Sequence, residues 1–118
     1  MAGVDMKSFD QPDEVVDYGE QGSSQRVTVG YTGFGLGNES TLWRSTLRPG
    51  WSWQRNIGPE VPFENCPLHH REYVISGRIR YVAEDGTVVE AGAGDHLLIG
   101  PGHLAEVVGE EPCVVLDW

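Results

Sequence analysis

Apolar residues in this chain come in short runs, some of which alternate with polar residues, as at 26–31, and some of which are continuous, as at 96–99. Eight such runs stand at residues 26–31, 41–48, 73–76, 78–83, 88–91, 96–99, 104–108 and 113–117. Alternation with a period of two is typical of β-strands that bury one face. The best candidate for a helix is one short turn at residues 10–16.

Glycine and proline punctuate these runs. Asp85 and Gly86 form a strong hairpin signal, because both accept the positive φ values of a type I′ turn. A length of 118 residues fits one domain. Many short strands joined by tight turns predict an all-β sandwich or barrel.

The formal net charge of −10, from 18 acidic and 8 basic residues, argues against a nucleic-acid partner, because phosphate binding requires basic clusters. The acidic side chains are concentrated in the first 20 residues: Asp5, Asp10, Asp13, Glu14, Asp17 and Glu20. We therefore expect residues 1–25 to form a partly ordered acidic arm and residues 26–118 to form the folded domain.

The location and redox state follow from what the chain lacks. No apolar run approaches the ~20 residues that a membrane helix needs. No basic segment followed by an apolar stretch opens the chain, so we expect no secretory signal, no membrane partner and a cytoplasmic protein. Two cysteines, Cys66 and Cys113, are too few for a disulfide scaffold and are expected to be reduced.

Two segments carry the clearest motifs. The first is ENCPLHHREYVISG at residues 64–77, and the second is GDHLLIGPGHLAE at residues 94–106. Together they resemble the two conserved motifs of the cupin superfamily, H-x-H-x-x-x-E-x-x-x-x-x-x-G and G-x-x-x-x-x-P-x-G-x-x-H. The resemblance covers residues 41–118 and is closest to small single-domain bacterial cupins, whose functions are largely unassigned. It implies a cupin jelly roll, a double-stranded β-helix barrel with one interior pocket that holds a metal.

The chain departs from the family motif at the metal ligands. The family's first two histidine positions fall on Glu64 and Cys66, and its glutamate position falls on His70. Its last histidine position falls on Ala105, but His103 lies two residues earlier and can share the same strand face. We therefore predict a metal site formed by Glu64, Cys66, His70 and His103, since all four side chains can bind a divalent metal.

Several alternatives remain open at this site. His69 and His70 are adjacent and should face opposite ways in a strand, and the motif register favours His70. His69 and Glu72 are alternate ligands, Cys66 could be a small buried hydrophobe, and His103 could simply bind a loop carbonyl. A thiolate with imidazoles favours zinc, with iron(II) second and copper as a further rival.

Aromatic residues near the first motif are candidates for a ligand pocket. We expect Trp53, Phe63 and Tyr73 to line such a pocket together with Glu72. The alternative for the tryptophans is that they fill the barrel interior, which needs large side chains.

Cupin pockets are associated with oxygenase, isomerase and lyase activities. The resemblance thus favours a metal-dependent enzyme that acts on a small organic molecule. The alternative is a non-catalytic cupin that binds a small ligand or a metal as a sensor or accessory protein, which the alanine at position 105 supports. We also expect a homodimer, because pairing of exposed strand edges protects them from aggregation.

Overall fold

The structure is a computed structural model that describes residues 3–118. Within those residues the chain forms nine strands, one short helix and two 3₁₀ turns. The strands are β1 Glu14–Asp17, β2 Gly22–Gly33, β3 Leu36–Leu47, β4 His70–Ser76, β5 Arg78–Val82, β6 Val88–Gly92, β7 His96–Ile99, β8 Leu104–Val107 and β9 Cys113–Asp117. The helix α1 is Trp53–Asn56, and the turns are Gly19–Gln21 and Gly58–Glu60.

The strands form two antiparallel sheets. In the described part of the chain, one sheet has six strands in the order β1-β2-β3-β9-β4-β7, and the other has three in the order β6-β5-β8. Neighbours in a sheet are often distant in sequence: β3 pairs with β9, and β4 pairs with both β7 and β9. This arrangement confirms the predicted all-β jelly roll.

The beginning of the chain differs from the expectation. Residues 10–16 form no helix; β1 lies there instead and pairs with β2, with Glu14 opposite Arg26. The Asp13 carboxylate accepts the backbone N–H of Thr28 at 2.8 Å, and this bond aligns the segment with β2. The boundary drawn between residues 25 and 26 falls inside β2, so the first 25 residues contribute strands to the six-stranded sheet.

Alternation along the strands creates the interior. Val74, Ile79 and Cys113 are 0%, 2% and 0% exposed, and they form the centre of the core. The same inward face of β4 also carries Glu72, and the inward face of β5 carries Tyr81, both buried. Two polar side chains thus lie where a sandwich normally buries only apolar ones.

The loop after β3 closes part of the core. Ser52 caps α1, because its hydroxyl accepts the backbone N–H of Arg55. Trp51 and Trp53 on either side of this cap are 6% and 5% exposed and pack in the core cluster. A helix of four residues leaves no periodic signal in the sequence, which is why it was not expected. Among residues 3–118, no helix is long and apolar enough to cross a membrane.

Candidate metal centre

Three donor side chains meet inside the sandwich, and backbone bonds bring two of them together. The N–H of Cys66 donates to the carbonyl of His103 at 2.9 Å, and the N–H of Gly102 donates to the carbonyl of Cys66 at 2.7 Å. This isolated bridge joins the loop before β4 to the turn before β8. His70, the first residue of β4, is the third member.

The donor atoms of these residues are close enough to share one ion. The Cys66 Sγ lies 3.6 Å from the His70 Nε2. The rings of His70 and His103 lie 5.0 Å apart between centroids, at an angle of 74°. One donor atom from each of Cys66, His70 and His103 lies within 4.8 Å of the others. Ligands of a single tetrahedral ion are separated by distances of this order.

Both imidazoles are held by their Nδ1 atoms. The Nδ1–H of His70 donates to Asp117 Oδ2 at 2.6 Å, and the Nδ1–H of His103 donates to the Gly100 carbonyl at 2.7 Å. Each bond places a proton on Nδ1, so Nε2 is the atom that would bind a metal, and the metal would displace any proton that Nε2 carries. Metal-binding histidines are held in this way, by a carboxylate or a backbone carbonyl on the second nitrogen.

The electrostatics of the cluster favour charged forms of two members. Burial opposes protonation of His70, but bonds to Asp117 and Cys66 outweigh it and raise the pKa of His70 to about 10. Burial would raise the pKa of the Cys66 thiol, but hydrogen bonds from His103 and His70 lower that pKa to about 6. At neutral pH, Cys66 is therefore a thiolate, the form that binds metals.

A second polar pair lies beside the cluster. Glu72 Oε2 lies 3.9 Å from the His70 Nδ1, and the Tyr81 hydroxyl donates to Glu72 Oε1. Burial raises the pKa of Glu72 to about 7, which keeps much of it protonated at neutral pH. Burial and the nearby Glu72 carboxylate raise the pKa of Tyr81 well above its usual range.

A cleft of about 770 Å³ connects this region with the surface. His103 and Tyr81, both buried, form part of its lining, and the hairpin between β5 and β6 forms part of its rim. A small molecule in the cleft would thus approach the His103 side of the donor cluster.

The structure does not bring Glu64 into the cluster. Among residues 3–118 the grouped donors are Cys66, His70, His103, Glu72 and Asp117, and Glu64 is exposed in a separate cleft. Glu64 and Cys66 do not share a strand face as expected, because the chain bends through residues 64–65 instead of running as a strand. His69 is exposed, whereas His70 faces inward.

The four residues expected to line one pocket lie in three places. Trp53 and Phe63 line the second cleft, of about 410 Å³, together with Glu64. Glu72 is buried beside His70, and Tyr73 is 38% exposed on the opposite face of β4. Tyr73 and Glu72 are adjacent in an extended strand, so their side chains point to opposite faces.

Two residues of the site gave no signal in the sequence. Asp117 lies opposite Glu72 in the pairing of β9 with β4, and Tyr81 lies opposite Ala105 in the pairing of β5 with β8. Both appear in sequence only as members of ordinary apolar strands. Their contacts with the donor cluster depend on strand pairing over long sequence separations.

The donor set fits a borderline transition metal. One thiolate and two imidazoles suit zinc well, and three protein ligands leave a fourth position for water or a substrate, as in catalytic sites. The residues at the site are therefore chemically able to hold the metal that the resemblance implies.

Comparisons with known proteins agree with this fold. No protein-family model matches the chain, and no curated protein matches it. An RmlC-like cupin from Shewanella frigidimarina superposes with a TM-score of 0.58 and 15% identity, over 98% of this chain and 90% of that one. The polyketide cyclase RemF from Streptomyces resistomycificus superposes with a TM-score of 0.56 and 16% identity, over 98% of this chain and 78% of that one.

A third similar structure is a longer protein. The S161A mutant of Bacillus subtilis oxalate decarboxylase superposes with a TM-score of 0.53 and 22% identity, over 89% of this chain but 27% of that one. At these identities the likeness concerns the fold alone. The chain therefore has a cupin-type jelly-roll fold, and inside it Cys66, His70 and His103 bring their donor atoms together.

Proposed function

We propose that this protein binds a divalent transition metal, zinc before iron(II), and is a metal-dependent enzyme acting on a small organic molecule. The observation that carries the proposal is the convergence of Cys66, His70 and His103, with both imidazoles held at Nδ1. Similar structures with the cupin fold include a decarboxylase and a cyclase, which supports a reaction of the oxygenase, isomerase or lyase type.

A bound metal would polarise a substrate oxygen or lower the pKa of a bound water. The protein's own groups would exclude solvent and hold protons. Glu72 and Tyr81 form a buried pair in which a proton can lie on Glu72 Oε2 while the Tyr81 hydroxyl stays bonded to Oε1. A carboxyl with a pKa of about 7 is suited to general acid–base catalysis near neutral pH.

The first experiment is metal analysis of protein purified without chelators. We expect about one equivalent of zinc or iron in the wild type, since a single set of three ligands binds one ion. His70→Ala and His103→Ala should lose the metal and remain folded. His69→Ala is the matched control, because His69 is the exposed neighbour of His70 and should retain the metal. A wild type that takes up neither zinc nor iron(II) would refute the metal proposal.

A second candidate function follows from the order of three side chains. Cys66, His70 and Asp117 stand as thiol, imidazole and carboxylate, joined by contacts of 3.6 and 2.6 Å. Cysteine nucleophiles are activated by such an arrangement. Cys66 is only 4% exposed, which restricts the access of a substrate to its sulfur. Metal binding is therefore the preferred of the two functions. The test is the rate at which iodoacetamide alkylates Cys66. If zinc does not slow this alkylation, Cys66 acts as a nucleophile; if equimolar zinc protects Cys66, it acts as a metal ligand.

The alternative of a non-catalytic sensor or accessory protein uses the same donor cluster. It is supported by Ala105, where the family motif places a histidine. Thermal-shift screening with small organic molecules separates the two functions. A stabilising ligand recovered unchanged after long incubation with metal-loaded protein favours binding alone, whereas its conversion establishes an enzyme.

We further propose a homodimer. The outer faces of β4 and β7 expose Tyr73, Ile75 and Leu98, at 38%, 47% and 78%, and β7 is an edge strand. Burying these side chains against a second copy would cover both an apolar surface and an open edge. Light scattering should give the mass of a dimer for the wild type and of a monomer for Leu98→Asp. A monomeric wild type at micromolar concentration would refute this.

We also propose that the protein is cytoplasmic. Cys66 and Cys113 are both free thiols, as is typical of a reducing compartment. Fractionation of cells that produce the chain should recover it with cytoplasmic markers, and recovery with an exported fraction would contradict the assignment.

A further inference from the structure

The cleft beside the donor cluster has apolar walls. Leu97 and Ile99 of β7 and Val89 of β6 line it, above the buried His103 and Tyr81. A concave surface of this kind favours a ligand with an apolar body, because its burial removes apolar surface from water. At about 770 Å³, the cleft has the size of a small-molecule site.

The charged groups at the rim are carboxylates. Glu84 and Asp85 line the cleft at the hairpin between β5 and β6. The side chain of Glu84 lies against Gly102, where a Cβ at residue 102 would meet its carbons at 3.1–3.5 Å. Asp85 accepts the backbone N–H of Thr87 at 3.0 Å, which lowers the pKa of Asp85 and keeps it ionised.

The nitrogen-containing side chains in the cleft lining are the imidazoles of His96 and His103, each bonded through Nδ1 to a backbone carbonyl. Among residues 3–118, no lysine or arginine belongs to its lining. Arg80, on the neighbouring strand β5, faces outward and is bound by Glu90 and Glu106 at 2.7 and 2.8 Å. The basic residues of the chain are Lys7, Arg26, Arg44, Arg48, Arg55, Arg71, Arg78 and Arg80.

We propose that the cleft accepts a small organic molecule with an apolar body and an uncharged or cationic polar group, and that it discriminates against carboxylates and phosphates. The proposal rests on the proposed function only in taking the ligand of this cleft to be the substrate. An anion placed here would lie near two carboxylates without an arginine or lysine to pair with, and unpaired charge in a partly buried site is costly.

The test uses three probes with one apolar body: cyclohexylmethylamine, cyclohexylmethanol and cyclohexanecarboxylate. Their binding is measured by protein NMR titration. The protein is first treated with a chelator, so that coordination of a probe to a metal plays no part. We expect the amine and the alcohol to shift amides of β6 and β7, and the carboxylate to bind about tenfold more weakly or less. Equal or tighter binding of the carboxylate in the cleft, or binding of all three elsewhere, would overturn the proposal.

Variants at the rim of the cleft test whether its carboxylates cause the preference for the amine over the carboxylate. Glu84→Gln and Asp85→Asn should each narrow the preference for the amine over the carboxylate by several-fold, with alcohol binding unchanged. Glu110→Gln is the matched control, because Glu110 is an exposed carboxylate outside the cleft lining. A preference unmoved by the rim variants, or moved equally by Glu110→Gln, would refute the electrostatic origin.

The two proposals fail in different ways. If the protein binds no metal but still prefers the amine, the inference about the cleft stands and the metal proposal falls. If the protein holds one equivalent of metal and prefers the carboxylate, the metal proposal stands and the inference about the cleft falls. Repeating the titrations with His70→Ala, which removes a donor outside the cleft lining, should leave the preference unchanged; a lost preference would overturn the inference about the cleft.

Discussion

The hydrogen bond between Tyr81 and Glu72 can be removed by deleting a single oxygen atom. Tyr81→Phe deletes the hydroxyl and keeps the ring, which is buried in the core cluster. It leaves Glu72 Oε1 without its donor at a position that is 8% exposed. The variant therefore isolates the contribution of one bond to a buried carboxyl group.

The magnitude follows from burial and charge. A hydrogen bond to a charged group contributes about 1.5–3 kcal/mol, and a bond between neutral groups about 1 kcal/mol. Burial raises the folded-state pKa of Glu72 to about 7 from 4.5, so its contribution to stability is fully present below pH 4.5 and is lost as pH rises through about 7. The Tyr81 bond lowers that pKa, so Tyr81→Phe should raise it further. The cost of Tyr81→Phe is therefore greater when Glu72 is charged.

The assay is urea unfolding followed by tryptophan fluorescence, with chelator present, at about pH 5 and about pH 8. We expect Tyr81→Phe to cost about 2 kcal/mol at the higher pH and about 1 kcal/mol or less at the lower pH. Combining it with Glu72→Gln should show a coupling energy of at least about 0.5 kcal/mol. Tyr31→Phe is the matched control, since Tyr31 is 42% exposed. The reasoning is refuted if Tyr81→Phe costs the same at both pH values or no more than Tyr31→Phe.

Two further predictions concern the donor cluster and Gly77, which connects β4 in one sheet to β5 in the other. Asp117→Asn should weaken zinc binding about 10–100-fold in a chelator competition, because Asp117 holds His70 at Nδ1; unchanged affinity would contradict this role. Gly77→Ala should cost more than about 3 kcal/mol in urea unfolding, because at φ +76 its Cβ would lie 2.3 Å from the Pro112 carbonyl oxygen. Gly86→Ala, with φ +86 and no atom within 4 Å, should cost only about 1 kcal/mol; equal losses would show that backbone strain alone decides both.

Most strands could be predicted because their information is local. The runs at residues 96–99 and 113–117 coincide with β7 and β9, and the signal at Asp85 and Gly86 lies between β5 and β6. β1 could not be predicted in this way. Its four residues are all exposed, and they form a strand because β2 offers its edge and Asp13 binds Thr28.

Part of the donor cluster also follows from local rules. His103 is buried just before β8, Ala105 lies within β8 opposite the buried Tyr81, and His70 is half-buried while His69 is exposed. Glu64 departs from the rule of alternating strand faces because residues 64–65 form a bend and not a strand. Strand parity predicts a side chain's direction only where the backbone is extended.

The sequence by itself determined the jelly roll, through the period of two, the turn residues and the two motifs, because each of these acts over a few neighbouring residues. Only the tertiary structure decided the chemistry of the interior. Asp117 reaches His70 across 47 positions, and Cys66 meets His103 through a single bridge. The cleft is likewise assembled from separate strands and turns, and which residues line it, with no lysine or arginine among residues 3–118, depends on where their side chains point. Such contacts depend on strand order and register, which alternation along one strand does not encode.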